Sequence, residues 1–234
     1  MTPSVFACAS GQQVSELDIA TGWNSTDNAR MVLEHHWDTW INQSDFEYLA
    51  SIGINTIRLP IGYWSLGPQF CQGTPFENVS DVYRNSWPRV TRAISMAGQA
   101  GMGVLVDLHG APGSQNGQPH SGISDGVTGL FNSPTDMDLT VDVLTFLTEQ
   151  LANVTNVIGI EILNEPQDDP GLPGFCEFTH SLQPTLLTRS RRPCDCKYES
   201  SINPSSIPTS LHTRWLQPGS VQCLRRKSHR FRRR

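Results

Sequence analysis

The chain has 234 residues, 37% hydrophobic and 17% charged, with a formal net charge of −5. This is the composition of a globular protein with many polar loops, and it excludes a wholly disordered one. No apolar run approaches the roughly 20 residues of a membrane-spanning helix, so no membrane partner is expected. The opening MTPSVFACASG lacks both the basic and the apolar region of a signal peptide, and the natural start is expected upstream of Met1.

Along the chain, residues 31–50 carry aromatics and leucines among acids, and Ser44 with Glu47 has the spacing of a capping box. A helix is predicted over 44–52, ended by Gly53. INTIRLPIGYW follows, β-branched and apolar, and predicts a strand at 54–60. Residues 82–100 have helical spacing at Val90, Ile94, Ala97 and Gly101. GMGVLVDLHG is nearly continuous in apolar character, as in a strand buried on both faces. Residues 136–152 read as a further amphipathic helix, with Leu139, Val143, Phe146, Leu147 and Leu151 on one side, and VIGIEILNEP closes a third strand at 157–163.

Strands and helices therefore alternate, which predicts parallel strands with crossover helices. Each strand is expected to end in a polar cluster: Arg58 at the first, His109 at the second, Asn164 and Glu165 at the third. In parallel α/β folds chemistry gathers beyond the carboxyl ends of the strands.

Beyond Pro173 the periodicity stops. Residues 1–188 hold five arginines against 20 acids, a balance of −15, whereas 189–234 hold 12 basic residues against Asp195 and Glu199, a balance of +10. Two different histories explain this change more simply than one selected surface, and the tail reads as translation in a wrong frame or through an intron. The expected division is a partial catalytic domain over 1–174 and an unpatterned basic tail over 175–234. Taken at face value, RRKSHRFRRR would be a nuclear-localisation or nucleic-acid-binding arm. No aromatic platform accompanies it, and no nucleic-acid partner is expected. Cys194 and Cys196 lack the spacing of a zinc knuckle, so no metal is expected. Sequons at Asn24, Asn42, Asn78 and Asn153 point weakly to a secretory route.

The strongest local signal is Asn164-Glu165-Pro166 after an apolar strand. Glycoside cleavage needs one carboxylic acid to protonate the leaving oxygen and a second carboxylate as nucleophile or base. A glutamate in a partly dry pocket at a strand mouth can keep the high pKa of a proton donor. Taken alone, the tripeptide reads more readily as a turn with an exposed glutamate.

INTIRLPIGYW (54–64), VDLHGAPGSQNG (106–117) and IGIEILNEP (158–166), with HHWDTWINQSDF (35–46) upstream, resemble the fungal exo-β-1,3-glucanases of glycoside hydrolase family 5. The resemblance covers residues 3–172. It implies a (β/α)8 TIM barrel, here with three recognisable strands, acting on β-glucan polysaccharide or oligosaccharide by a retaining mechanism. It also implies a monomer without cofactors at the cell wall or outside the cell. By resemblance Glu165 is the general acid/base, Asn164 binds the sugar beside the cleaved bond, Arg58 holds the nucleophile ionised, and His109 lines the sugar pocket. Outside that context Arg58 and His109 could be structural hydrogen-bonders. Glu161 and Asp107 read as paired structural carboxylates, and Tyr63 and Trp64 as either sugar platforms or core. Ser114, Gln115 and Asn116 are expected to shape a mouth loop.

Two features depart from the family. Its first barrel strand should precede residues 2–4, and its nucleophilic glutamate should end a late strand. The only acids after residue 173 are Glu177, Asp195 and Glu199, all in unpatterned sequence. A (β/α)8 barrel takes about 250 residues, so the chain is expected to be an incomplete, inactive barrel, or else a β-glucan-binding remnant without catalysis.

Overall fold

The computed structural model describes residues 3–167 together with Phe178. The expected tail over 175–234 thus lies, Phe178 apart, outside the described residues. In chain order the elements are α1 (Pro3–Cys8), α2 (Glu16–Thr21), α3 (Thr26–Thr39), α4 (Gln43–Ser51), β1 (Thr56–Gly62), α5 (Ser86–Gln99), β2 (Gly103–Gly110), α6 (Pro134–Leu151) and β3 (Val157–Glu161). Short 3-10 turns occupy most of 63–83.

The three strands form one parallel sheet in the order β1-β2-β3, with Ile57 opposite Val104 and Asp107 opposite Glu161. A helix stands between each strand and the next. This is the repeat of a (β/α)8 barrel, carried through three strands. Pro60 lacks an amide hydrogen, and β1 tolerates it because it pairs on one side only among the described residues. The strand therefore runs on to Gly62 instead of stopping at residue 60.

Val104, Val106 and Leu108 alternate along β2 and are fully buried against the helix layer, with Ile94 and Ala97 of α5 and Val143, Leu144 and Leu147 of α6 in the same core. Leu105 and His109 on the other face are only half-buried, and Thr56, Arg58 and Pro60 of β1 are exposed. Asp107 on that same face is completely buried, so the expectation that β2 is buried on both faces holds for the outward face and only in part for the inward one. Three strands cannot close on themselves, so among the described residues the inward face has no opposite wall.

The helix caps differ from the sequence expectation. Asn42, not Ser44, caps α4: its side chain accepts from the Ser44 amide at 2.9 Å, and the capping box closes through Asp45. Ser44 already lies inside the helix, where its hydroxyl bonds Asn42. Helices α1, α2 and α3 carry no strong apolar period and were not predicted. Yet Ser15 with Asp18 forms a full capping box, and Ser25 caps α3. In α6 the Ser133 hydroxyl accepts from the Asp136 amide at 3.2 Å, with Pro134 in the first turn. Removing this cap by Ser133→Ala should cost about 1 kcal/mol, read as a lower urea midpoint with an unchanged slope.

Tyr63 and Trp64 belong to the core. Tyr63 is fully buried, and the Trp64 ring stacks on Phe76 at 4.3 Å with the planes 8° apart.

Candidate active site

Arg58 is the third residue of β1 rather than its last, but its long side chain reaches across two strands. Its Nε and Nη2 donate to Oε2 and Oε1 of Glu161 at 2.7 and 3.0 Å, a bidentate pair. Nη2 also meets Asp107 Oδ2 at 2.9 Å and Asn164 Oδ1 at 2.7 Å. The register explains this convergence. Leu105 of β2 lies opposite both Arg58 and Gly159, and Asp107 lies opposite Glu161, so Arg58, Asp107 and Glu161 share the inward face. The bond to Glu161, then the neighbouring carboxylates, raise the Arg58 pKa further and keep it charged. Glu161 and Asp107 are thus the paired structural carboxylates the sequence suggested.

Asp107 is completely buried and also holds His109, whose Nδ1 lies 2.7 Å from Oδ2. That contact fixes the imidazole at the end of β2, with its other nitrogen available to the cleft.

Asn164 follows β3 and is 4% exposed. With Oδ1 taken by Arg58, its Nδ2 amide is buried and has no partner among the described residues. Gln115 locks the backbone around it, donating to the carbonyls of both His109 and Asn164 at 2.8 and 2.9 Å and accepting from the Ala111 amide. The loop over 111–117 therefore joins the ends of β2 and β3, as expected of a mouth loop.

Glu165 is placed differently from the expectation of a partly dry pocket. Its side chain is 72% exposed, because no described residue walls it on the open side. Its backbone has φ +43, a conformation unfavourable for a residue with a Cβ, held where Asn116 Nδ2 donates to its carbonyl at 3.0 Å. The carboxylate faces His120, with Nε2 3.6 Å from Oε2, and the His120 and His109 rings lie 5.1 Å apart. Burial, and then His109, hold His120 below its ordinary value and favour the neutral imidazole.

His120, Gln115 as a clamp, and Glu16 carry no local signal in the sequence. The first two follow the recognised VDLH stretch closely, but only tertiary contacts reveal their roles. Glu16 begins α2 and accepts from the Tyr83 hydroxyl at 3.1 Å; burial pushes its carboxyl up to about 7. The unfolded chain releases this proton near 4.5, so between 4.5 and about 7 the folded state binds more protons. The contribution of Glu16 to stability should therefore fall as pH rises through that window and level off above it. The difference in unfolding free energy between the unsubstituted protein and Glu16→Gln, measured from pH 4 to 8, should show that fall.

Among the described residues no group of three or more His, Cys, Asp or Glu side chains is arranged to hold a metal ion. No described helix is long and apolar enough to cross a membrane.

A family model described as cellulase (glycosyl hydrolase family 5) matches residues 19–174. Glucan 1,3-beta-glucosidase 3 of Schizosaccharomyces pombe is 40% identical over 184 residues, covering 76% of this chain and 39% of that protein. Glucan 1,3-beta-glucosidase of Pichia angusta is 38% identical over 169 residues, covering 71% and 37%. The chain thus spans about two fifths of the length of these curated relatives. The crystal structure of the rutinosidase from Aspergillus niger superposes with a TM-score of 0.58 at 21% identity, over 70% of this chain and 44% of that one. That of AoRut gives 0.59 at 24% identity, over 73% and 46%. These two likenesses carry the fold alone.

Proposed function

The chain belongs to glycosyl hydrolase family 5, and from that membership we propose that its site binds β-1,3-linked glucan and supplies the acid/base half of a retaining hydrolysis. The observation that carries this reading is the Asn164 side chain. Its amide is buried, held by Arg58 and left without a partner beside Glu165. An unpaired buried donor is costly, and a sugar hydroxyl next to the cleaved bond would satisfy it. Glu165 would protonate the leaving oxygen and later activate water, while His109, oriented by Asp107, would line the sugar pocket. Exo action belongs to the same proposal, in keeping with relatives named glucan 1,3-beta-glucosidase, and a monomeric state and an extracellular or cell-wall location are proposed with it on the family resemblance alone.

The chemistry also requires a second carboxylate about 5 Å from the first. Among the described residues the acids nearest in the sheet, Asp107 and Glu161, are both engaged by Arg58. Glu177, Asp195 and Glu199 lie outside the described residues. This favours a second reading for the chain as it stands, a β-glucan-binding protein without turnover. Incubation with β-1,3-glucan, following both pull-down and glucose release, separates the readings. Binding without release is the expected result. Release of β-configured glucose would establish catalysis, and absence of binding would contradict both.

A further inference from the structure

At the end of β2 lies a cleft of about 620 Å3 whose lining includes Glu16, His36, Trp37, Trp64, His109 and His120. Among the described residues that line it, Glu16 is the only carboxylate. We infer that Glu16 is a specificity-determining residue of this cleft, its carboxyl hydrogen-bonding the hydroxyls of a glucosyl unit bound alongside His109. This rests on the proposed β-glucan site and adds to it a binding group contributed by α2, outside the strand ends.

Several features set Glu16 apart from an ordinary helix-start acid. The backbone amides of the α2 N-terminus are served by Ser15 and Asp18, so Glu16 is not needed as a cap. It forms no ion pair among the described residues. Among the described residues its one side-chain partner is the Tyr83 hydroxyl, which donates to Oε1 from a fully buried position, leaving Oε2 for a ligand. Tyr83 lies between the cleft tryptophans, 6.1 Å from the Trp37 ring and 6.5 Å from Trp64. A carboxyl raised to about 7 can both donate and accept near neutrality, as paired sugar hydroxyls require. Apolar walls with a few convergent polar groups are the general form of a small-ligand site.

Titration of the full chain with laminaritriose, a short β-1,3-linked glucan, tests the inference. Glu16→Ala should weaken binding about tenfold, the loss of one strong hydrogen bond. Glu16→Gln should lose less, because an amide still donates and accepts. Tyr83→Phe removes the supporting bond without the sugar contact, so it should stay within about twofold of the unsubstituted protein. In the unsubstituted protein the carboxyl carbon resonance of Glu16 should shift as laminaritriose is added. Binding by Glu16→Ala within twofold, equal losses for Glu16→Ala and Tyr83→Phe, or an unmoved Glu16 resonance would each overturn the inference while leaving the β-glucan site intact. Failure of the unsubstituted protein to bind would instead overturn the site reading, and this one with it.

Discussion

Replacing Arg58 by methionine is expected to lower the unfolding free energy by about 3 kcal/mol. Arg58 is itself exposed, but Asp107 is completely buried, so removing the guanidinium leaves a buried charge with, among the described residues, only His109 to bond its Oδ2. Its Oδ1 already has no partner among the described residues, so the carboxylate has little else to lean on. The same change frees Glu161 and the Asn164 amide oxygen, loosening the joint between β1 and β3 across the sheet. Lysine should recover only part of the loss, since an ammonium cannot reproduce the two-nitrogen fork on Glu161. Urea unfolding of the two variants checks both statements, and equal midpoints for methionine and the unsubstituted protein would show that the network contributes nothing to stability.

A similar loss, about 3 kcal/mol, is expected from Gly122→Ala. Gly122 has φ +108, a backbone state that costs a residue with a Cβ about 1–3 kcal/mol. An added Cβ would also overlap the edge of the Trp64 ring, and overpacking costs about 1–3 kcal/mol more. Gly62 presses on the same ring from β1 with an ordinary φ of −93, so Gly62→Ala isolates the packing cost from the backbone cost. Near-UV circular dichroism should report the displaced indole in both variants, and the urea midpoint should fall further for Gly122→Ala. Because Trp64 also lines the cleft, this packing couples core stability to the shape of the candidate site.

Much of this arrangement was legible in the residues themselves. The alternation of apolar strands with amphipathic helices led directly to a parallel sheet, and β2, α6 and β3 lie within two or three residues of their expected bounds. Arg58, His109 and Asn164 do converge, and Asp107 and Glu161 are paired as expected. What stayed hidden depended on distance along the chain. Glu16 meets Tyr83, 67 residues away, and no local pattern announces that contact. Helices α2 and α3 were missed because periodicity outweighed cap chemistry, although Ser15, Asp18 and Ser25 stood in plain view. The dry pocket expected for Glu165 is absent from the described residues because pocket walls come from strands far apart in sequence, whereas a motif specifies only its own segment.

The most direct measurement is a laminaritriose titration followed through the side-chain amide resonances of Asn164. Saturable binding with a large shift of the Asn164 Nδ2 protons is expected, with the binding itself weakened in Asn164→Asp, because the unpaired donor beside Glu165 is where the sugar hydroxyl belongs. Binding that leaves those protons unmoved, or no binding at all, would contradict that placement.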